Sequence, residues 1–149
     1  MEPLVIESVR YTEPCGACGA RMKCVGTQTL VDGRLRWDVE WSCVSCGSIA
    51  AACGGDMPAA RRKQMLAAYG PTRLRVDGLV TAGDRVVALR VLRKALDLDL
   101  TGAKAKLSAV LAGDVTGTRP EVEWLARRLR GAGVAAEAVP PQEERSDRA

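Results

Sequence analysis

The first third of the chain alternates apolar and polar positions, and this predicts strands. VIESVRY reads as one strand, and TQTLVDGRLRWDVEWSC as two alternating runs flanking Asp32-Gly33, a dipeptide that signals a hairpin turn between such runs. Two Gly-rich knuckles, CGACGA and CVSCGS, bracket that hairpin, and Cys53-Gly-Gly closes the segment. The segment PAARRKQMLAAYG then predicts a short helix, with Pro58 near its start, an Ala-rich interior and Gly70 after its last turn. From Thr72 onward the pattern changes to strand (TRLRVDGL), helix (DRVVALRVLRKAL), helix (TGAKAKLSAVLAG), a short strand around Val115, helix (RPEVEWLARRLRGAG) and strand (VAAEAV). The last helix is the best marked: Thr118 and Glu121 form a capping box, and Val122, Leu125, Ala126 and Leu129 recur at helical spacing.

These elements predict an α+β fold, with an N-terminal β ribbon over 1–57, a linking helix over 58–70, a small βααβαβ domain over 71–140 and a polar, disordered tail over 141–149. No internal repeat is present. Composition sharpens the picture. The chain has 149 residues, 47% of them hydrophobic, yet no Phe and only 3% aromatics, so each core must be Leu, Val and Ala packing. Two small cores fit this length better than one, and cores below roughly 70–80 residues are marginal without help such as a bound metal. The net charge of +4 is spread through the sequence, which is weak support for nucleic-acid binding. No apolar run approaches the ~20 residues that span a bilayer, and MEPLVIESVR lacks the pattern of a signal peptide, so a cytoplasmic protein without a membrane partner is expected.

In a cytoplasmic protein, six cysteines read as metal ligands before disulfides. Cys15, Cys18, Cys43 and Cys46 form two CxxC knuckles, each presenting two thiolates from one tight turn, and together they supply the four ligands of a tetrahedral zinc ion. The 24 residues between Cys18 and Cys43 suit a hairpin that returns the second knuckle to the first, and Gly16, Gly19 and Gly47 permit the turn geometry. The N-terminal segment thus resembles a four-cysteine zinc ribbon. Cys24 and Cys53 are either small buried side chains or else a substitute ligand or a second cysteine pair.

A catalytic zinc keeps one position open for water and usually takes His ligands, whereas four thiolates saturate the ion and this chain contains no His. There is also no G-x-S-x-G elbow, phosphate loop or convincing acid pair, so neither an enzyme nor a small-molecule substrate is expected. Trp37 and Trp41 share one strand face. They are core by default, or with Arg34 and Arg36 a surface for stacking against nucleic acid or protein.

LRVDGLVTAGDRVVALRVLRKALDLDLTGAKAKLS, followed by TRPEVEWLARRLRGAGVAAEAV, resembles the C-terminal domain of the bacterial ribosomal stalk protein (the L-seven/L-twelve family) over about residues 72 to 139. The resemblance implies a βααβαβ domain that recruits translational GTPases through its first two helices. Arg85, Val86, Leu89, Arg90, Arg93 and Lys104 fall where that family has basic and aliphatic contact residues. Independently of the resemblance, Val86, Leu89, Arg90 and Arg93 lie three or four apart and share one side of their helix. The sequence departs from the family pattern at Asp97-Leu98-Asp99, where the family has Gly-Leu-Gly, at Thr101 for a Lys, and at Trp124 for a small residue. In place of the family's N-terminal dimerisation helices and hinge, a zinc ribbon and a linking helix are expected.

The expected function is a non-enzymatic, zinc-containing adaptor that binds a protein partner, a translational GTPase or the ribosome. Two alternatives stand beside it: a zinc ribbon that binds nucleic acid, with the steep salt dependence this entails, and an inhibitor or immunity protein that covers the active site of a toxin.

Overall fold

The computed structural model describes residues 2–141. The tail expected over 141–149 lies outside the described residues except for Pro141. The fold is α+β, as expected, with four helices and two antiparallel sheets among the described residues, and the chain divides into two compact units, Met1–Tyr69 and Gly70–Ala149.

The first unit is a four-stranded antiparallel meander in which β1 (Val5–Pro14), β2 (Arg21–Val31), β3 (Arg34–Ser42) and β4 (Ile49–Cys53) lie side by side in chain order. The β2–β3 turn is the Asp-Gly hairpin, with both central residues left-handed, at φ 49° for Asp32 and 72° for Gly33. Strand alternation puts Val5, Val9, Met22, Cys24, Leu30 and Trp37 on one buried face. The far edge of the Trp37 ring lies against Gly26, which leaves it the room that a side chain would fill.

Helix α1 (Ala59–Tyr69) covers this face. It starts at Pro58, whose carbonyl accepts from the Arg61 and Arg62 amides, and it stops at Gly70 with φ +78°. Met65 is fully buried against Val9 and Trp37, and the Arg61 guanidinium sits 4.1 Å over the Tyr11 ring. The segment expected to be a link is therefore an integral layer of the first unit.

The second unit carries a three-stranded sheet in the order β6 (Thr116–Gly117), β5 (Thr72–Asp77), β7 (Ala135–Val139), all antiparallel. Helices α2 (Ala82–Leu96), α3 (Leu100–Leu111) and α4 (Arg119–Gly131) complete the expected βααβαβ order. Leu74, Leu92, Leu107, Leu125 and Leu129 meet in an aliphatic core that contains no buried aromatic side chain. The short strand expected around Val115 begins one residue later, and the Val115 carbonyl accepts from the Leu74 amide at 2.9 Å.

Caps define the helices. The Thr118–Glu121 box is formed as expected, and Thr81 and Asp84 form a second at the start of α2. Hydrogen bonds from Thr81 hold the Asp84 carboxyl below its usual pKa. Because Thr118 is only 1% exposed, water cannot replace its hydroxyl. Thr118→Ala is therefore expected to lower the stability of this unit by about 1–2 kcal/mol. A thermal melt checks this, and an unchanged midpoint would refute it.

Candidate metal centre

The meander brings both knuckles to the same end of the first sheet, one joining β1 to β2 and the other β3 to β4. They are built alike. In the first, the Cys15 amide donates to the Ala20 carbonyl at 2.7 Å and the Gly19 amide to the Cys15 carbonyl at 2.8 Å. In the second, Cys43 donates to Ser48 and Gly47 to Cys43, both at 2.8 Å. Gly19 and Gly47 adopt φ 73° and 75°, and this left-handed step after the second cysteine of each knuckle is what requires glycine. Gly16 has no such conformation, so it is not needed for the turn.

The four sulfurs of Cys15, Cys18, Cys43 and Cys46 all lie within 4.8 Å of one another. Two pairs run between the knuckles at short range, Cys15 to Cys46 at 3.7 Å and Cys18 to Cys43 at 3.6 Å. A disulfide would need about 2.05 Å, whereas a tetrahedron with metal–sulfur bonds of about 2.3 Å has edges of about 3.8 Å. The set therefore fits a single tetrahedrally coordinated metal ion. All six cysteines are free thiols.

The four thiols do not share one electrostatic environment. The Ser48 hydroxyl, 3.1 Å from Cys46 Sγ, and the Ser48 amide lower the Cys46 thiol to about 6. Cys43 is lowered by hydrogen bonds from the Cys46 and Ser45 amides. At Cys18 the Ala20 backbone pulls downward, but the neighbouring thiols and local desolvation push it up to about 11. Four thiols this close cannot all ionise unless a positive ion offsets their repulsion.

Cys15 and Cys43 are buried, and with Met22, Cys24, Tyr11, Ala20 and Trp41 they form a small cluster under the knuckles. Cys24 is thus a buried side chain beside the site, outside the four-sulfur group, and burial raises its thiol. Cys53 is exposed at the end of β4. Trp37 is buried and Trp41 packs against the cysteine cluster, whereas Arg34 and Arg36 lie on the opposite, open face. The combined stacking surface of tryptophans and arginines does not exist.

In the second unit, Arg85, Val86, Arg90 and Arg93 are exposed along α2, and Lys104 is exposed on α3. Val86 is 45% exposed, while Leu89 is half-buried and packs against the core. The Asp97-Leu98-Asp99 departure has a local structural role. Asp97 caps α2 in the left-handed region at φ 51°, and Asp99 caps α3 by accepting from the Gly102 amide at 2.6 Å.

No protein-family model, curated protein or solved structure matches the chain. Among the described residues no helix is long and apolar enough to cross a membrane.

Proposed function

We propose that this protein is a non-enzymatic cytoplasmic adaptor: zinc held by Cys15, Cys18, Cys43 and Cys46 stabilises the N-terminal unit, and the C-terminal unit docks a protein partner. Zinc suits an all-thiolate tetrahedral set in a reducing compartment, and four sulfurs leave it no open position for catalysis.

The observation that carries the docking role is the outer side of α2. There Val86 offers an exposed aliphatic anchor with Arg85, Arg90 and Arg93 around it and Lys104 on the neighbouring helix. An apolar anchor flanked by cations suits an acidic partner surface with an apolar pocket, the cations speeding encounter and the anchor supplying affinity. By the resemblance to the stalk domain, the partner is a translational GTPase or the ribosome.

Affinity capture with the wild type and an Arg90→Glu/Arg93→Glu variant tests this reading. Translation factors or ribosomes are expected with the wild type and are expected to be lost with the variant. Equal capture by both would remove α2 from the interaction.

A nucleic-acid reading has one observation of its own. Arg10, Arg21, Lys23, Arg34 and Arg36 are exposed on the open face of the first sheet, against Asp38 and Glu40. With the tryptophans on the other face, such binding would rest on phosphate contacts and weaken steeply with salt.

A further inference from the structure

The two edges of the first sheet are treated differently. Along β1, the Tyr69 hydroxyl receives the Ser8 amide at 3.3 Å and donates to the Ser8 carbonyl at 3.0 Å, while the Gln64 side-chain amide donates to the Arg10 carbonyl at 2.7 Å. Side chains of α1 thus occupy the backbone groups that a further strand would take. Among the described residues nothing covers the β4 edge in this way. All five of its residues are exposed, with Ile49 at 81%, and it bears none of the charges, prolines or bulges that usually blunt an edge.

Which β4 groups point outward follows from the register. Ser8 and Arg10 face away from β2, so antiparallel alternation assigns Glu7, Val9 and Tyr11 to bonding with β2. Carried through the β2–β3 and β3–β4 pairs, the alternation bonds Ala50 and Ala52 to β3. The N–H and C=O groups of Ile49, Ala51 and Cys53 are therefore left on the open side.

We infer that this edge pairs with β4 of a second copy, antiparallel about a two-fold axis at Ala51, joining two meanders into one continuous sheet. In that register Ala51 faces its own symmetry mate and Ile49 faces Cys53 of the other copy, so every outward backbone group finds a partner. A two-fold interface sets each residue against an identical surface, which penalises charge. From Ser42 to Gly55 the sequence has no Asp, Glu, Lys or Arg. Only the metal centre bears charge there, and it precedes Ile49. Antiparallel pairing sends the two centres to opposite ends of strands about 17 Å long, beyond the screening length of ~8 Å. Beside the edge, Ile49 and Ala51 join Val25 on the floor of a cavity of about 930 Å³ rimmed by Arg10, Lys23 and Glu40, and pairing would continue this floor into the second copy.

An edge of five residues buries little area, so the dimer belongs to the weak, reversible class. Sedimentation velocity on the full metal-loaded chain, carried to sub-millimolar concentration, is the test. Ala51→Pro removes an N–H that β3 does not use and is tolerated at an edge, whereas Ala51→Lys sets two cations face to face. Both are expected to raise the dimer dissociation constant at least about tenfold, with metal content unchanged. If Ala51→Pro loses metal, Ala51→Lys decides. A wild type that stays monomeric throughout overturns the inference, including the case in which a partner's peptide strand occupies the edge instead. So does a dimer that Ala51→Lys leaves intact.

Discussion

Cys43→Ser is expected to unfold the N-terminal unit while the C-terminal unit keeps its own melting transition. The cluster that joins the two knuckles consists of Cys15, Met22, Cys24 and Cys43, with Tyr11, Ala20 and Trp41 partly buried around it. Two of its four buried members are themselves ligands, so little apolar contact remains to hold the knuckles together once the ion leaves. Serine supplies a hard, protonated oxygen where a soft thiolate is needed. In small metal domains the binding free energy, about 10–16 kcal/mol for zinc-finger peptides near pH 7, is folding free energy. Loss of one of four ligands is therefore expected to exceed the whole stability of a unit this small. A strong chelator should reproduce the effect on the wild type, because it removes the same ion. Metal analysis with two-dimensional amide spectra makes the comparison. Collapse of signals from the first unit, with those of Leu74, Leu107 and Leu129 unmoved, is the expected result. Full metal content with an unchanged melt would refute the structural role of the site.

Much of this was legible in the sequence, for identifiable reasons. Paired CxxC knuckles and an Asp-Gly hairpin are local codes. Spacing alone placed four sulfurs together, and the distances fit one tetrahedral ion. The α4 capping box was equally local. The helix starts were harder. Thr81-x-x-Asp84 is a capping signature lying in a Gly-containing stretch that reads as loop, so α2 begins two residues before Asp84. Asp99, read only as a departure from Gly-Leu-Gly, is the cap of α3.

The unread elements failed for a different reason. Strand β4, IAAAC, has neither alternation nor strongly β-forming side chains apart from Ile49, and the strand state comes from pairing with β3. Strand β2 begins at Arg21, six residues before the alternating run at Thr27, because Cys24 and Gly26 disguise its inward face. Helix α1 could be seen as a helix but not placed. Its attachment depends on Met65 packing against Val9 and Trp37, and on Gln64 and Tyr69 reaching β1 residues more than fifty positions away. Long-range packing of this kind leaves no periodic trace in the chain.

Gly26 gives the sharpest test of that packing. Its backbone needs no left-handed conformation. Glycine is required because the Trp37 indole rests on it: a Cβ there would overlap Cη2 and Cζ2 of the ring and stand 3.2 Å from Cζ3. Trp37 cannot retreat, since it is only 6% exposed and fully buried Met65 packs against it. Gly26→Val is therefore expected to destabilise the first unit by about 3 kcal/mol or more, the upper range for overpacking. Gly26→Ala should do so by somewhat less. If the ring contact is the cause, shrinking the ring must relieve it. In a Gly26→Ala/Trp37→Leu double variant the cost should fall below the sum of the two single costs by at least about 1 kcal/mol, the coupling typical of touching residues. Thermal and denaturant melts of the four proteins close the cycle. Additive costs would mean that Gly26 matters for its backbone alone, and the close stacking of Trp37 on β2 would have to be given up.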